Sequence, residues 1–341
     1  MERETHVTPR GETGVKVSVC VPVYGVESYI ERCARSLFSQ TMTDGVEFIF
    51  VDDASPDGSV TRLRRVIDQY SHLRVKIIHH KRNLGLPAAR RTAVEAAVGE
   101  YVAHVDSDDY VAPTYISSLL DEATRSGADV VECGYRESGG SRRSVVPCPC
   151  DRVGMPAPLA IWNGERDGHV WAKLIRRDVY ARHPECFAPD NVVIKEDLYA
   201  MVRIAFFARR MTSVPSVLYF YDCTNPGSLL HSGRERRISS LVPLWRQTVA
   251  FLRSAYPDGQ YESDIMRAVI EGKAEWMLYS HDVAAKRRWA RLYHDEEMPY
   301  VRKMGRGLRF MATMVHYGVW PIVWLHTLYA SMLERLARRR R

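Results

Sequence analysis

Between Val17 and Asp109 the chain alternates four short apolar runs with three amphipathic stretches, and this rhythm restricts the fold more than any other feature. Val17–Val21, Glu47–Val51, Arg74–His79 and Tyr101–Val105 are rich in β-branched and aromatic residues and too short for buried helices. Between them, Ser28–Gln40 places Ile30, Cys33, Ala34, Leu37 and Phe38 on one face, and Ser59–Tyr70 and Pro87–Val98 also read as helices. Strands joined by helices predict an α/β fold, a parallel sheet covered on both faces. Pro22, which lacks an N–H, is expected to end the first strand.

The pattern continues with a helix over Thr114–Ser126 and a strand over Asp129–Tyr135. Arg136–Pro158, rich in Gly, Ser, Pro and Arg, reads as a long loop or flap. His169–Ile175 resumes the apolar pattern, Glu196–Arg209 reads as an amphipathic helix, and Ile238–Ala255 and Ser263–His281 are further helices.

Carboxylates gather where the strands end. Asp52-Asp53 follows the second run, and Asp106-Ser107-Asp108-Asp109 follows the fourth. Crowded carboxylates repel unless a cation sits among them, and Mg²⁺ or Mn²⁺ favours oxygen donors of this kind. In an open α/β sheet both clusters would lie on the carboxyl edge, where ligands bind. The alternative is two turns, with Asp109 capping the next helix and Asp57-Gly58 turning the chain near the first cluster. Arg90 and Arg91, after Asn83-Leu84-Gly85, either face phosphates or are surface charges. Glu196 and Asp197 suit the dipole at a helix start, or one of them takes a proton from an attacking hydroxyl.

Other chemistries find little support. There is no glycine-rich phosphate loop, no GxSxG elbow, and His79-His80, His183 and His231 lack metal-ligand spacing. Cys148-Pro149-Cys150 lacks the second pair a zinc site needs, so the seven cysteines read as reduced thiols. Met1–Lys16 is polar and predicts no secretory leader, hence a cytoplasmic, reducing location.

The net charge of +7 is uneven: Lys286–Arg341 holds 13 Lys/Arg against 4 Asp/Glu, leaving the remainder at −2. Phe310–Leu333 has no charged side chain over 24 residues but contains His316, Pro321 and His326 between two basic flanks. Basic charge on both sides disfavours a span and favours an interfacial or re-entrant helix pair bent at Pro321, its arginines against anionic lipid. A helical cap packed on protein is the alternative. Basic charge beside Trp-rich apolar sequence argues against nucleic acid as a partner.

Taken in order, Val19-Cys20-Val21-Pro22-Val23-Tyr24, Val51-Asp52-Asp53-Ala54-Ser55, Asn83-Leu84-Gly85-Leu86-Pro87-Ala88-Ala89-Arg90 and Val105-Asp106-Ser107-Asp108-Asp109 resemble family 2 glycosyltransferases. Trp171-Ala172-Lys173-Leu174, Lys195-Glu196-Asp197-Leu198 and Tyr219-Phe220-Tyr221 with Ser228 extend the resemblance over residues 16–232. It implies a GT-A (Rossmann-like) fold, with a mostly parallel sheet flanked by helices and a helical C-terminal extension. It also implies that Pro22, Tyr24 and Asp53 line a nucleotide base pocket, Asp53 accepting from a uracil N–H, with Glu27 and Arg90 at its border. By the same resemblance Asp106 approaches the ribose, Asp108 holds Mn²⁺ or Mg²⁺, and Asp197 is the base, with Glu196 beside it.

The implied reaction is inverting transfer from a nucleotide-sugar donor, expected to be a UDP-sugar, to a glycan or lipid-linked acceptor. Gly25 stands where the family commonly has Asn, and Asp222 where Arg often follows the second aromatic. The expected organisation is a tail (1–15), a catalytic domain (16–232), a helical extension (233–300) and a membrane-associating segment (301–341) at the inner face of the cell membrane. Homo-oligomers stay open, as do a nucleotidyltransferase and a non-catalytic nucleotide-sugar-binding membrane scaffold as alternative functions.

Overall fold

The apolar runs become strands, and the amphipathic stretches cover them. The computed structural model describes residues 14–138, 144–145, 155–190, 192, 194–225, 234–279, 283–319 and 321. The N-terminal tail, Cys148 and Cys150, Ser228, His231 and most of residues 320–341 lie outside the described residues. The chain divides into two units, residues 1–161 with 166–229, and residues 162–165 with 230–341.

The first unit starts with β1 (Val17–Val23), α1 (Ile30–Phe38), β2 (Val46–Asp52), α2 (Ser59–Ile67), β3 (Arg74–His79), α3 (Leu86–Glu95) and β4 (Tyr101–His104). It continues through β5 (Tyr110–Val111), α4 (Tyr115–Ser126), β6 (Val130–Ser138), β7 (Ser144–Val145), α5 (Ala157–Trp162), β8 (Lys173–Arg176), α6 (Arg177–Arg182), α7 (Glu196–Phe207) and β9 (Met211–Asp222). The strands form one sheet in the order β3-β2-β1-β4-β8-β6-β9-β5, with β7 paired to β6. β3, β2, β1 and β4 are parallel, as the alternation predicts; β8 then runs antiparallel to β4 and β6, and β5 antiparallel to β9. The chain builds β2 and β3 on one side of β1 and places β4 on the other. That reversal opens a crevice at the carboxyl ends of β1 and β4.

Pro22 does not end its strand: β1 continues to Val23, and Pro22 pairs with Val51. The Val23 carbonyl accepts from Asp53 on the β2 side, and the Cys20 carbonyl accepts from Val105 on the β4 side. Backbone groups alternate along a strand, so Pro22 faces the β4 side, where the ladder stops at Cys20–His104. Its missing N–H leaves no ladder bond unmade. The stretch read as a loop from Arg136 also begins as strand, since Tyr135 and Arg136 pair with Val145 and Ser144.

One apolar core joins α1 (Ile30, Leu37, Phe38), β2 (Phe48, Phe50), α4 (Tyr115, Ile116, Leu119) and the strands between them. Among the described residues Cys20, Cys33, Cys133 and Cys186 are buried free thiols and Cys223 is an exposed one.

The second unit is helical: α8 (Arg234–Ala255), α9 (Glu262–Tyr279), α10 (Val283–Ala290), α11 (His294–Val301) and α12 (Arg306–His316). Trp162 belongs to it, packing on Trp245 and donating its indole N–H to the Ile265 carbonyl at 3.0 Å. Ile270, Val301 and Ala312 form a small core. Within the segment expected to associate with a membrane, α12 buries Met311, Ala312 and Val315. Among the described residues no helix is long and apolar enough to cross a membrane.

Candidate active site

The site is assembled from the loops after β1, β2 and β4 and the first turn of α7. Asp53 is buried, and its oxygens accept from the backbone N–H groups of Leu84 and Gly85, both at 2.8 Å, and from His80 Nδ1 at 2.7 Å. It thereby fixes the turn that launches α3. Gly85 sits at φ 92°, a conformation that suits only glycine there. Asp52 accepts from His79 Nδ1 at 2.9 Å and from the Ser55 N–H at 2.9 Å. Tyr24 is half exposed at the end of β1, whereas Pro22 is buried in the ladder. Glu27 accepts from the Gly58 N–H and from Arg62 Nε, and Asp57 accepts from the N–H groups of Glu27 and Ser59. The turn reading of Asp57-Gly58 is therefore correct in its geometry.

The adjacent arginines on α3 part company. Arg91 turns to the Ala188 carbonyl at 3.1 Å and to Asp190 at 2.8 Å, away from the acidic loop. Arg90 is buried, with Nη2 donating to Asp106 at 2.8 Å and Nη1 donating to Glu196 at 3.0 Å and to Asp197. Burial opposes its charge, but Asp197, Asp106 and Glu196 outweigh that and hold it firmly protonated. Lys195 stands at φ 56°, turning the chain so that Glu196 and Asp197 open α7. Burial, reinforced by Asp197 and opposed by Arg90, pushes Glu196 up to about 8. Nearby His104 donates to or accepts from the Tyr180 hydroxyl at 3.0 Å, and burial together with the charge of Arg90 lowers it to about 3, so it stays neutral.

The acidic loop after β4 is supported from the far end of the unit. Asp109 does not cap a helix. It is fully buried, accepting from the Tyr219 hydroxyl at 2.6 Å and from the Asp222 N–H at 2.7 Å. Burial, then the charges of Asp108 and Asp106, raises its proton affinity well above the ordinary carboxylate range. The Tyr219 oxygen also accepts from the Asp106 N–H at 3.1 Å. Asp108 accepts from the Asn225 amide at 2.9 Å, and burial followed by the charge of Asp106 raises it too. Arg32 of α1 donates to the Asp108 carbonyl and to Asp222, both at 2.6 Å, over the face of Tyr110. Trp171 stacks on Tyr219 and Tyr221, with ring centres 4.8 and 5.4 Å away.

Asp53, Arg90, Asp106, Glu196 and Asp197 are thus linked to one crevice edge through α3, and Asp108 lies on the same loop as Asp106. Arg32, Tyr219, Asp222 and Asn225 were not singled out as site residues by their sequence context. They reach the loop from 76 to 117 positions away, and only the aromatic run at Tyr219–Tyr221 offered a signal.

A profile of glycosyl transferase family 2 matches residues 18–182. EpsH of Bacillus subtilis, a glycosyltransferase by name, is 30% identical over 280 residues, covering 80% of this chain and 79% of EpsH. The chain belongs to glycosyl transferase family 2. YibD of Escherichia coli, also named as a glycosyltransferase, is 32% identical over 63% of this chain and 64% of its own length. Among solved structures, S. aureus TarS 1–349 in complex with UDP superposes with a TM-score of 0.70 at 19% identity, over 89% of this chain and 87% of that one. The mannosyltransferase PcManGT of Pyrobaculum calidifontis, solved with GDP-Man and Mn²⁺, gives 0.52 at 19% identity, over 96% and 91%. These likenesses show the GT-A fold, and the family makes the chain a glycosyltransferase.

Proposed function

We propose that this glycosyltransferase moves a sugar, with inversion, from a UDP-sugar to a hydroxyl of a glycan or lipid-linked acceptor during cell-surface polysaccharide synthesis. One observation carries the proposal: a single guanidinium, Arg90, bonds both the acidic loop after β4 and the carboxylate pair that opens α7. The group that would meet the donor and the group that would activate the acceptor therefore sit a few ångströms apart. The TarS complexes with UDP and UDP-GlcNAc support a nucleotide-sugar donor.

Asp108 is the residue we assign to Mn²⁺ or Mg²⁺. It shares its loop with the carboxylates of Asp106 and Asp109, an all-oxygen donor set that suits a hard divalent cation; burial, followed by the charge of Asp106, raises its proton affinity. A hard divalent cation there supplies positive charge against the departing diphosphate. Pro22, Tyr24, Asp53 and Glu27 belong to the nucleotide end in this reading, Asp53 chiefly by shaping the turn beneath the base. Asp197 accepts the proton of the acceptor hydroxyl as its oxygen bonds to the anomeric carbon. The bond to the diphosphate breaks in the same step, its electron pair leaving with UDP, so no covalent sugar–protein intermediate forms. Glu196, holding a proton at neutral pH, leaves the accepting role to its neighbour.

The second unit presents a surface suited to the inner membrane face. Arg302, Lys303, Arg306 and Arg309 are exposed on and just before α12, with Phe310 and Tyr317 also exposed among them. Basic side chains with aromatic rings favour anionic lipid headgroups.

Asp108→Asn and Asp197→Asn test the chemistry. Both should abolish transfer measured by UDP release, and only Asp108→Asn should abolish the effect of Mn²⁺ on UDP affinity. Turnover retained in Asp197→Asn removes the assigned base.

A further inference from the structure

The second unit holds a cluster that the transfer reaction does not use. His294 opens α11, Glu297 follows one turn later on the same face, and His316 comes from the last turn of α12. One donor atom from each lies within 4.8 Å of the other two. His316 Nδ1 is 2.9 Å from Glu297 Oε1, and the two imidazoles stack with centres 4.1 Å apart and planes 9° from parallel.

We propose that His294, Glu297 and His316 form a Zn²⁺ site that clamps α11 to α12. The lone pairs of two parallel rings cannot converge on one ion, so zinc binding requires His294 to leave the stack, while His316 Nδ1 already faces Glu297 Oε1. Zinc bonds of about 2.0–2.2 Å in tetrahedral array set neighbouring ligand atoms about 3.3 Å apart. The 2.9 Å pair therefore opens by a few tenths of an ångström, and His294 closes by a side-chain rotation. Glu297 is held for the purpose: it is buried, and its Oε2 accepts from buried Lys273, whose ammonium also donates to the Ala290 and Leu292 carbonyls at 3.1 and 2.8 Å. That ammonium orients the carboxylate and leaves Oε1 as the ligand atom. Two imidazoles with one carboxylate suit zinc, unlike the all-oxygen set at Asp108, and a fourth position is left for water.

The test uses the full chain carrying Asp108→Asn, which removes the hard-cation site, stripped with chelator and dialysed against Zn²⁺ alone. One zinc per chain should bind, and His294→Gln or His316→Gln should weaken binding at least about tenfold. Gln can still hydrogen-bond, and circular dichroism of each variant establishes that the helices remain. Cobalt substituted for zinc should give visible absorption that both variants lose. Absence of stoichiometric zinc in the parent, or binding that both folded variants retain with His183→Gln as control, overturns the site.

Discussion

Replacing Glu196 with glutamine isolates the proton on which the α7 carboxylate pair depends. The Glu196 side chain is 12% exposed, and burial lifts its pKa from 4.5 to about 8, with the Asp197 charge adding and Arg90 subtracting. Between those values the folded protein keeps a proton that the unfolded chain has released. A raised carboxyl pKa therefore means stability that is present at low pH and lost as pH rises through this window. The slope is about 1.4 kcal/mol per pH unit, and the whole window amounts to about 5 kcal/mol. Glutamine releases no proton and retains an oxygen to accept from Arg90 Nη1, now at 3.0 Å. The stability of Glu196→Gln relative to the native protein should accordingly climb with pH and level off once the native carboxyl has ionised. Urea unfolding of both proteins across the window, from acid to mildly alkaline, measures the gap. A gap that stays constant with pH refutes the placement of the pair's proton on Glu196.

Tyr219→Phe removes the hydroxyl shared by Asp106 and Asp109, and should lower unfolding stability by about 1–3 kcal/mol and weaken Mn²⁺-dependent UDP binding. Unchanged binding would show that the acidic loop needs no such support. A double-mutant cycle on Arg32 and Asp222 should give a coupling of only about 0.2–1 kcal/mol, since the Arg32 side chain is 43% exposed. Replacing exposed Arg302, Lys303, Arg306 and Arg309 together with Gln leaves the buried face of α12 untouched, and should cut sedimentation with anionic vesicles severalfold. Undiminished sedimentation would put the lipid contact elsewhere or nowhere.

Local pattern carries local structure. The helix ending at Ser126 is legible because Tyr115, Ile116, Leu119, Leu120 and Ala123 recur at helical spacing and are buried, and Arg74–His79 because it is a short run of β-branched residues. Pro22 misleads because its effect depends on which neighbour strand is still present beside it, a fact that resides in β4. Asp109 misleads for the same kind of reason: next to a helix it looks like a cap, while its true partners are 110 and 113 residues away. The acidic motifs and the Glu196-Asp197 pair were readable as chemistry. Their union through Arg90 was not, since a guanidinium on a helix surface and one buried among three carboxylates look alike in a sequence. His294 and Glu297 carry no comparable signal in the sequence, since His316 joins them only when α11 and α12 fold together.

The insertion of β9 between β6 and β5 has a temporal consequence. The loop at 106–109 leaves the ribosome early, yet the hydroxyl, amide and side chains that brace it arrive with Tyr219, Asp222 and Asn225. A nascent or proteolysed chain ending before Tyr219 keeps Arg90 on Asp106 and Arg32 on the Asp108 carbonyl but lacks every partner that holds Asp109 from β9. The carboxylate of Asp109 thus gains its two partners only when the last strand of the sheet is in place.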